Sequence, residues 1–329
     1  MDACQPTLLD AELERRASMT RRGEFLARLG AEVPWDRLER LVAPFYHSPR
    51  PGAGGRPPVP LPVMLRMYVL SVAYSLSDRA CQDECNDSAA ARAFVGLGQR
   101  DAPDETTLCK FRHLLESEGL GERMLAEVNA ALAERGLGIS AGTIVDATFV
   151  ESPSSTKNRQ KARDPEAHSA KKGNSWHFGY KAHVGVDAGS GTVHTLVVTA
   201  ANASDVAEAH SLVREGDERV WADAGYVGVQ KREEVVGDPA LSRVEWLVAR
   251  RRSTVAEGQR PYERDLSSVR SRVEHPFHVV KDIFRLRKVR YRGLRKVGNL
   301  LFAAFALANL VLARRRPRKC MPPASPAAT

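Results

Sequence analysis

The sequence predicts a mixed α/β sheet with helices on its faces, preceded by an all-helical N-terminal region. Two observations carry that reading. Up to about residue 138 the apolar residues recur at helical spacing, broken once by a Pro- and Gly-rich stretch. From residue 142 the pattern changes to three β-rich runs, then helix, strand, helix and strand before closing helices, an order that makes a mixed sheet.

The first helices are read from "LERRASMTRRGEFLARL" and "PWDRLERLVAPFY". Residues 48–62, "SPRPGAGGRPPVPLP", form a connector. Three or four further helices follow. They are "PVMLRMYVLSVAYSL", then "SDRACQDECNDSAAARAFVGL" after a cap at Ser77 or Asp78, then "DETTLCKFRHLLESEGL" after Pro103 and Asp104, then "GERMLAEVNAALAERG" ending at Gly136. Short helices bearing Arg and Lys are compatible with a DNA-binding module, and equally with a packing or dimerisation unit. The expected organisation is a helical region 1–47, the connector 48–62, a helical, candidate DNA-binding domain 63–138, an α/β domain 139–313 and a basic tail 314–329.

In the α/β part the first strand is "TIVDATFV". Two more come from "WHFGYKAHVGVDAGSGTVHTLVVTAA", with a hairpin at Asp187-Ala-Gly-Ser-Gly. A helix "SDVAEAHSLVRE" follows, then a fourth strand "RVWADAGYVG", a helix from about Val229 and a fifth strand "VEWLVARR". Two helical stretches, "SSVRSRVEHPFHVVKDIFRL" and "VGNLLFAAFALANLVLARRR", close the chain before the tail "RRRPRK". The sheet is therefore expected to have five strands.

The chain has 329 residues, 49 Lys and Arg against 40 Asp and Glu, and a formal net charge of +9. Because the excess lies in clusters, a polyanion is the expected partner. Five cysteines at loose spacing fit a reducing cytoplasm. The Cys81 and Cys85 pair with Cys109 and His113 downstream resembles a zinc spacing, but the segments read as helices in which Cys is a small buried hydrophobe. The N-terminus has no apolar signal core, and "NLLFAAFALANLVLA" (residues 299–313) reads as a buried helix, so no membrane is expected.

Three carboxylates stand where packing does not ask for them. Asp146 interrupts the first strand, Asp223 ends the fourth, and Glu274 lies in a late helix. Each has an ordinary explanation: turn amides for Asp146, a helix cap for Asp223, pairing with Arg270 or Lys281 for Glu274. Yet the first and fourth strands of such a sheet can be neighbours, and converging acids repel unless cations neutralise them. Hard ions such as Mg²⁺ or Mn²⁺ suit an all-oxygen site, and two of them can stabilise the attacking and leaving oxygens of a phosphoryl displacement.

Several motifs carry a family resemblance. "VDATFVESPSSTKN", "RDPEAH", "KKGNSWHFGYKAHVGVD", "ANASD", "ADAGYVG" and "RSRVEHPF" resemble, in order, the DDE transposases of bacterial insertion sequences, whose catalytic domain has the RNase H-like fold. "TRRGEFL", "VPWDRLERLVAPFY", "GRPPVPL" and "PDETTLCKFRHLLE" extend the similarity toward the N-terminus. The resemblance implies that Asp146, Asp223 and Glu274 are the catalytic acids and the ligands of two Mg²⁺ or Mn²⁺ ions. It implies cleavage at terminal inverted repeats and transfer of the freed 3′ hydroxyl to target DNA, with no covalent enzyme intermediate. A homodimer or larger assembly on double-stranded DNA in the cytoplasm follows from cutting two ends together. Arg270 and Lys281 fall at the family's spacing around Glu274, while Ser267 stands where many relatives carry Tyr.

The expected DNA-binding residues are Lys157, Arg159, Lys171, Lys172 and Lys181, which flank the first two strands, and Arg270 and Lys281, four and seven residues from Glu274. Trp176, His177 and Tyr180 interleave with them and offer stacking surfaces for an unpaired base, or else pack in the core. Two rival readings remain: a DNA-binding copy that has lost catalysis, and a nuclease of the same fold that cuts without joining.

Overall fold

The computed structural model describes residues 15, 19–46, 58–137, 142–159, 161–250, 255 and 257–314. The basic tail beyond Arg314 and most of the Pro- and Gly-rich connector lie outside them. The N-terminal helices are α1 (Arg21–Glu32), α2 (Trp35–Val42), α3 (Leu61–Ala73), α4 (Asp78–Asp87), α5 (Ala89–Val95), α6 (Glu105–Ser117) and α7 (Leu120–Glu134). Side-chain caps start several of them: Thr20 accepts from the Gly23 amide, Ser77 from Ala80 and Asp104 from Thr107. The stretch after Ser77 is two helices rather than one. Ser88 takes an extended conformation, ends α4 and caps α5 through the Ala91 amide, because a Ser oxygen serves a helix start better than a helix interior.

The strands are β1 (Gly142–Glu151), β2 (His168–Lys172), β3 (Ser175–Asp187), β4 (Val193–Ala200), β5 (Arg219–Ala222) and β6 (Glu245–Val248). β1 lies at the centre. It runs antiparallel to β3, from Thr143 opposite Asp187 to Glu151 opposite Gly179, and parallel to β5, which is parallel to β6. β3 carries β4 along its second half and β2 along its first five residues. Six strands therefore replace the five expected. The extra one, β2, has the sequence His-Ser-Ala-Lys-Lys, which has no strand signature of its own and becomes a strand by pairing with the long β3. The hairpin at Asp187 forms as its sequence indicates: the Asp187 amide donates to Thr192 and the Gly191 amide to Asp187.

Between the strands the helices are α8 (Asp205–Glu208), α9 (Glu233–Val236), α10 (Arg260–Arg270), α11 (Glu274–His278) and α12 (Leu294–Arg314). The helix expected after Ser204 is only a four-residue turn of α-helix followed by a 3₁₀ turn. The late helix is broken as well, since a 3₁₀ turn at Ser271–Val273 separates α10 from α11 and a wide π turn, Val279–Ile283, follows. Pro276 supplies the reason, because it cannot donate back to Arg272 and crowds the preceding turn.

α12 holds the assembly together. It packs against α7 and β4, and its buried Asn309 accepts from the Val193 amide at 2.8 Å while donating to the Val193 carbonyl and to Asn129, each at 2.7 Å. By length and composition it is apolar enough to cross a membrane, yet 72% of its most apolar window is buried inside the protein. One continuous apolar core runs from Leu26 in α1 through α3, α7 and one face of the sheet to Ala313 in α12. A smaller cluster around Val145, Leu212, Val220 and Tyr226 fills the opposite face.

Candidate active site

The site is built on the parallel pair β1 and β5. Ile144 is level with Trp221, so Asp146 and Asp223, each two residues further along its strand, stand at one height and on one face just past the shared ladder. Neighbouring strands lie about 4.8 Å apart, a spacing at which two carboxylates can share a cation. Both residues are half-buried. Each spends one oxygen locally: Asp146 Oδ1 accepts from the Ala147 amide and Asp223 Oδ1 from the Gly225 amide, both at 2.7 Å. Asp223 thus caps the turn after β5, as its ordinary reading anticipates, and a carboxylate still has acceptor capacity beyond that one bond.

Glu274 opens α11 and is exposed. The turn before it, Ser271–Val273, packs on β1, and α10 packs on β5, so the segment carrying Glu274 touches both strands that carry the other acids. Among the described residues no three His, Cys, Asp or Glu side chains converge closely enough to hold one ion. Carboxylate oxygens are the donors a hard divalent cation takes, and Asp146, Asp223 and Glu274 do not form one three-ligand group. The break in the helix also means that Arg270 and Glu274 do not sit on one continuous helical face.

A buried polar cluster adjoins the pair. The phenol of Tyr226, 2% exposed, has no hydrogen-bond partner among the described residues. Burial pushes its pKa well up from the ordinary tyrosine range, and the charges of Asp146, Asp205 and Asp223 push it further, with Arg270 opposing them. The Asp205 turn packs against the Ala224–Tyr226 turn. Asp205 in turn accepts from the Lys181 ammonium at 2.9 Å and lies 3.6 Å from His183. His183 is fully buried, bonded to Thr199 at 2.8 Å, and burial holds its imidazole down at about 4.

The expected DNA contacts divide. Lys157, Arg159 and Lys171 are exposed, whereas Arg270 and Lys281 are half-buried. Lys172 lies on β2, whose backbone pairs with β3. Lys181 departs from the expectation: it is 8% exposed, and its ammonium is committed to the Ala203 carbonyl at 2.7 Å and to Asp205. Being directly opposite Phe149 inside the sheet, it faces the interior rather than a DNA groove. Tyr180 is likewise fully buried, donating to Asp164 at 2.5 Å, and Tyr226 is core. His177 stacks on Phe149, and Trp176 is 70% exposed, the one aromatic of the group that presents a free face.

Asp205 and His183 escape a reading of the sequence for catalytic acids. The signal for Asp205 is the "ANASD" motif, and Tyr226 stands three residues after Asp223.

A family model described as "Transposase DDE domain" matches residues 139–310, just over half of the chain. A second, described as "Transposase domain (DUF772)", matches residues 14–114. No solved structure matches the chain. The first match spans the whole sheet and both strand-end acids, the second most of the helical region, and together they show that the chain belongs to the DDE-domain transposases of the insertion-sequence type.

Proposed function

We propose that this transposase binds the terminal inverted repeats of its own element, cleaves a strand at each end and joins the freed 3′ hydroxyl to target DNA in the cytoplasm. The observation that carries the reading is the common height of Asp146 and Asp223 on adjacent parallel strands. In this reading both are metal ligands, Glu274 joins them once DNA draws α11 inward, and Mg²⁺ or Mn²⁺ is the cofactor. Two bound ions would supply Lewis acidity to the attacking and leaving oxygens.

The chain's own contribution is placement. The β1–β5 ladder fixes two carboxylates, the Asp205–Lys181 pair stiffens the floor beneath them, and exposed Lys157, Arg159 and Lys171 hold phosphates. No Ser or Tyr nucleophile is required, because water and the 3′ hydroxyl perform the two attacks. Joining two ends in one event calls for at least two copies of the chain.

The test uses the full chain, duplexes carrying the element's end sequence, and Mg²⁺ or Mn²⁺. Nicking at the end followed by joined product supports the reading, and Asp146→Asn or Asp223→Asn should each reduce it at least about 10³-fold. Nicking without joining makes the protein a nuclease. Metal-independent DNA binding with no nicking makes it a binding protein.

A further inference from the structure

The segment Arg285 to Lys296, "RLRKVRYRGLRK", has seven Arg or Lys in twelve residues and lies outside every contact discussed so far. Its arrangement is one-sided. Leu286 and Val289 are 2% and 1% exposed and anchor it in the core, while Arg285, Arg287, Lys288 and Arg290 between and beside them all face solvent. Every exposed residue from 285 to 290 is therefore cationic.

The backbone of this strap is fixed. The Glu151 amide donates to the Arg287 carbonyl at 3.0 Å and the Val289 amide to the Glu151 carbonyl at 2.8 Å, so the strap continues alongside the end of β1. Further on, the Gly293 amide donates to Asp164 and the Leu294 amide to Glu166, each at 2.9 Å. Those two acids tie down the loop after β1, which carries exposed Lys157, Arg159, Lys161 and Arg163. On its other side the strap reaches the helical region: Arg290 donates to the Ser75 carbonyl at 2.6 Å, and the Arg112 guanidinium sits 4.1 Å over the Tyr291 ring. Arg285 holds a left-handed backbone, φ 59°, which an Arg adopts only when its surroundings impose it.

Cations carried on one face of a fixed backbone repel one another, and a polyanion laid against them relieves that repulsion. Among the described residues the strap's ion pair with an acid is that of Arg287 with Asp282. We propose that the 285–296 strap, with the loop it ties down, is a DNA-backbone clamp that grips phosphates without regard to sequence and spans the sheet and the helical region. The inference rests on DNA being the substrate, and it adds a surface that the acids and their neighbours do not supply.

The test is an Arg285→Gln, Lys288→Gln, Arg295→Gln triple variant of the full chain, with binding to an element-end duplex and a random duplex measured by fluorescence anisotropy across salt. Each lost phosphate contact removes about 0.9 from the slope of log affinity against log salt, so the triple variant should lose about 2 to 3 from the slope on both duplexes. At low salt its affinity should fall at least about tenfold. Lys288→Gln alone should lose about 0.9, and Arg285→Lys with Arg295→Lys should keep the slope, which separates lost charge from lost folding. Wild-type slopes in all variants overturn the clamp, as does a loss confined to the element-end duplex, which would indicate base reading. Absence of salt-dependent binding by the wild-type chain would overturn the DNA reading itself.

Discussion

The Tyr226 hydroxyl is buried beside Asp146 with no hydrogen-bond partner among the described residues, and the carboxylate of Asp146 is the largest charge acting on it. A buried phenol whose pKa is pushed up stays protonated at neutral pH and keeps its O–H as a hydrogen-bond donor. An unsatisfied buried hydroxyl costs about 1–3 kcal/mol. Tyr226→Phe should therefore leave metal-free stability unchanged or raise it by about 1 kcal/mol, whereas Tyr226→Ala should lose about 3–5 kcal/mol to the cavity it leaves. Urea unfolding of the three proteins checks this, and a marked loss in Tyr226→Phe would mean that the hydroxyl is already bonded.

Two carboxylates at one height on adjacent strands repel in the absence of an ion and are relieved by one. Divalent cations should accordingly raise the unfolding midpoint of the wild-type chain. At an ion concentration ten times the dissociation constant the gain is about 1.4 kcal/mol, and Asp146→Asn or Asp223→Asn should abolish it while slightly stabilising the metal-free protein. Thermal unfolding with and without Mn²⁺ reads both effects, and an equal gain in the Asn variants would move the ion elsewhere.

That β1 and β5 can be neighbours was legible in the order of the elements, and Asp146 inside the first strand and Asp223 at the end of the fourth were legible as acids that packing alone does not ask for. β2 was not, since His-Ser-Ala-Lys-Lys is a strand only through its partner β3. The break before Glu274 had a local signal in Pro276, outweighed by the helical periodicity around it. Lys181 was misread for a different reason. In sequence it belongs to a run of cations, and only the cross-strand pairing with Phe149 and the turn bearing Asp205 show that its ammonium points inward. Charge is visible in a sequence, but the partner that neutralises it comes from the fold.

His194 gives the protein an acid sensitivity of its own. Its ring nitrogens are bonded to Thr143 at 2.9 Å and Thr195 at 2.8 Å, and burial, with the nearby Arg214 charge, holds its imidazole down at about 3. The folded state thus keeps the ring neutral where the unfolded chain, near 6.5, takes up a proton. The stabilisation is complete above about pH 6.5 and is lost as pH falls toward 3, at about 1.4 kcal/mol per pH unit in the steep part. His194→Gln, which retains a donor and an acceptor, should be less acid-sensitive than wild type by that slope in unfolding titrations between about pH 6 and pH 4. Parallel titrations would show that the ring is not the source.

Asn309 should be among the costliest polar residues to replace. It lies on α12, 0% exposed, and its amide closes both backbone groups of Val193 at the start of β4 while holding Asn129 on α7. Three elements therefore meet at one side chain: the closing helix, the sheet edge and the helical region. Leu has a similar branched shape but would leave the Val193 amide and the Asn129 side-chain oxygen without the partners Asn309 gives them, while the Val193 carbonyl would keep only the Asn129 side-chain amide at 3.0 Å, and each orphaned group costs about 1–3 kcal/mol. Asn309→Leu should destabilise by about 2–5 kcal/mol, with hydrogen exchange speeding first at Val193 and its β4 neighbours. If α12 and β4 instead exchanged at wild-type rates with stability intact, the joint between the helical region and the sheet would rest on apolar packing alone.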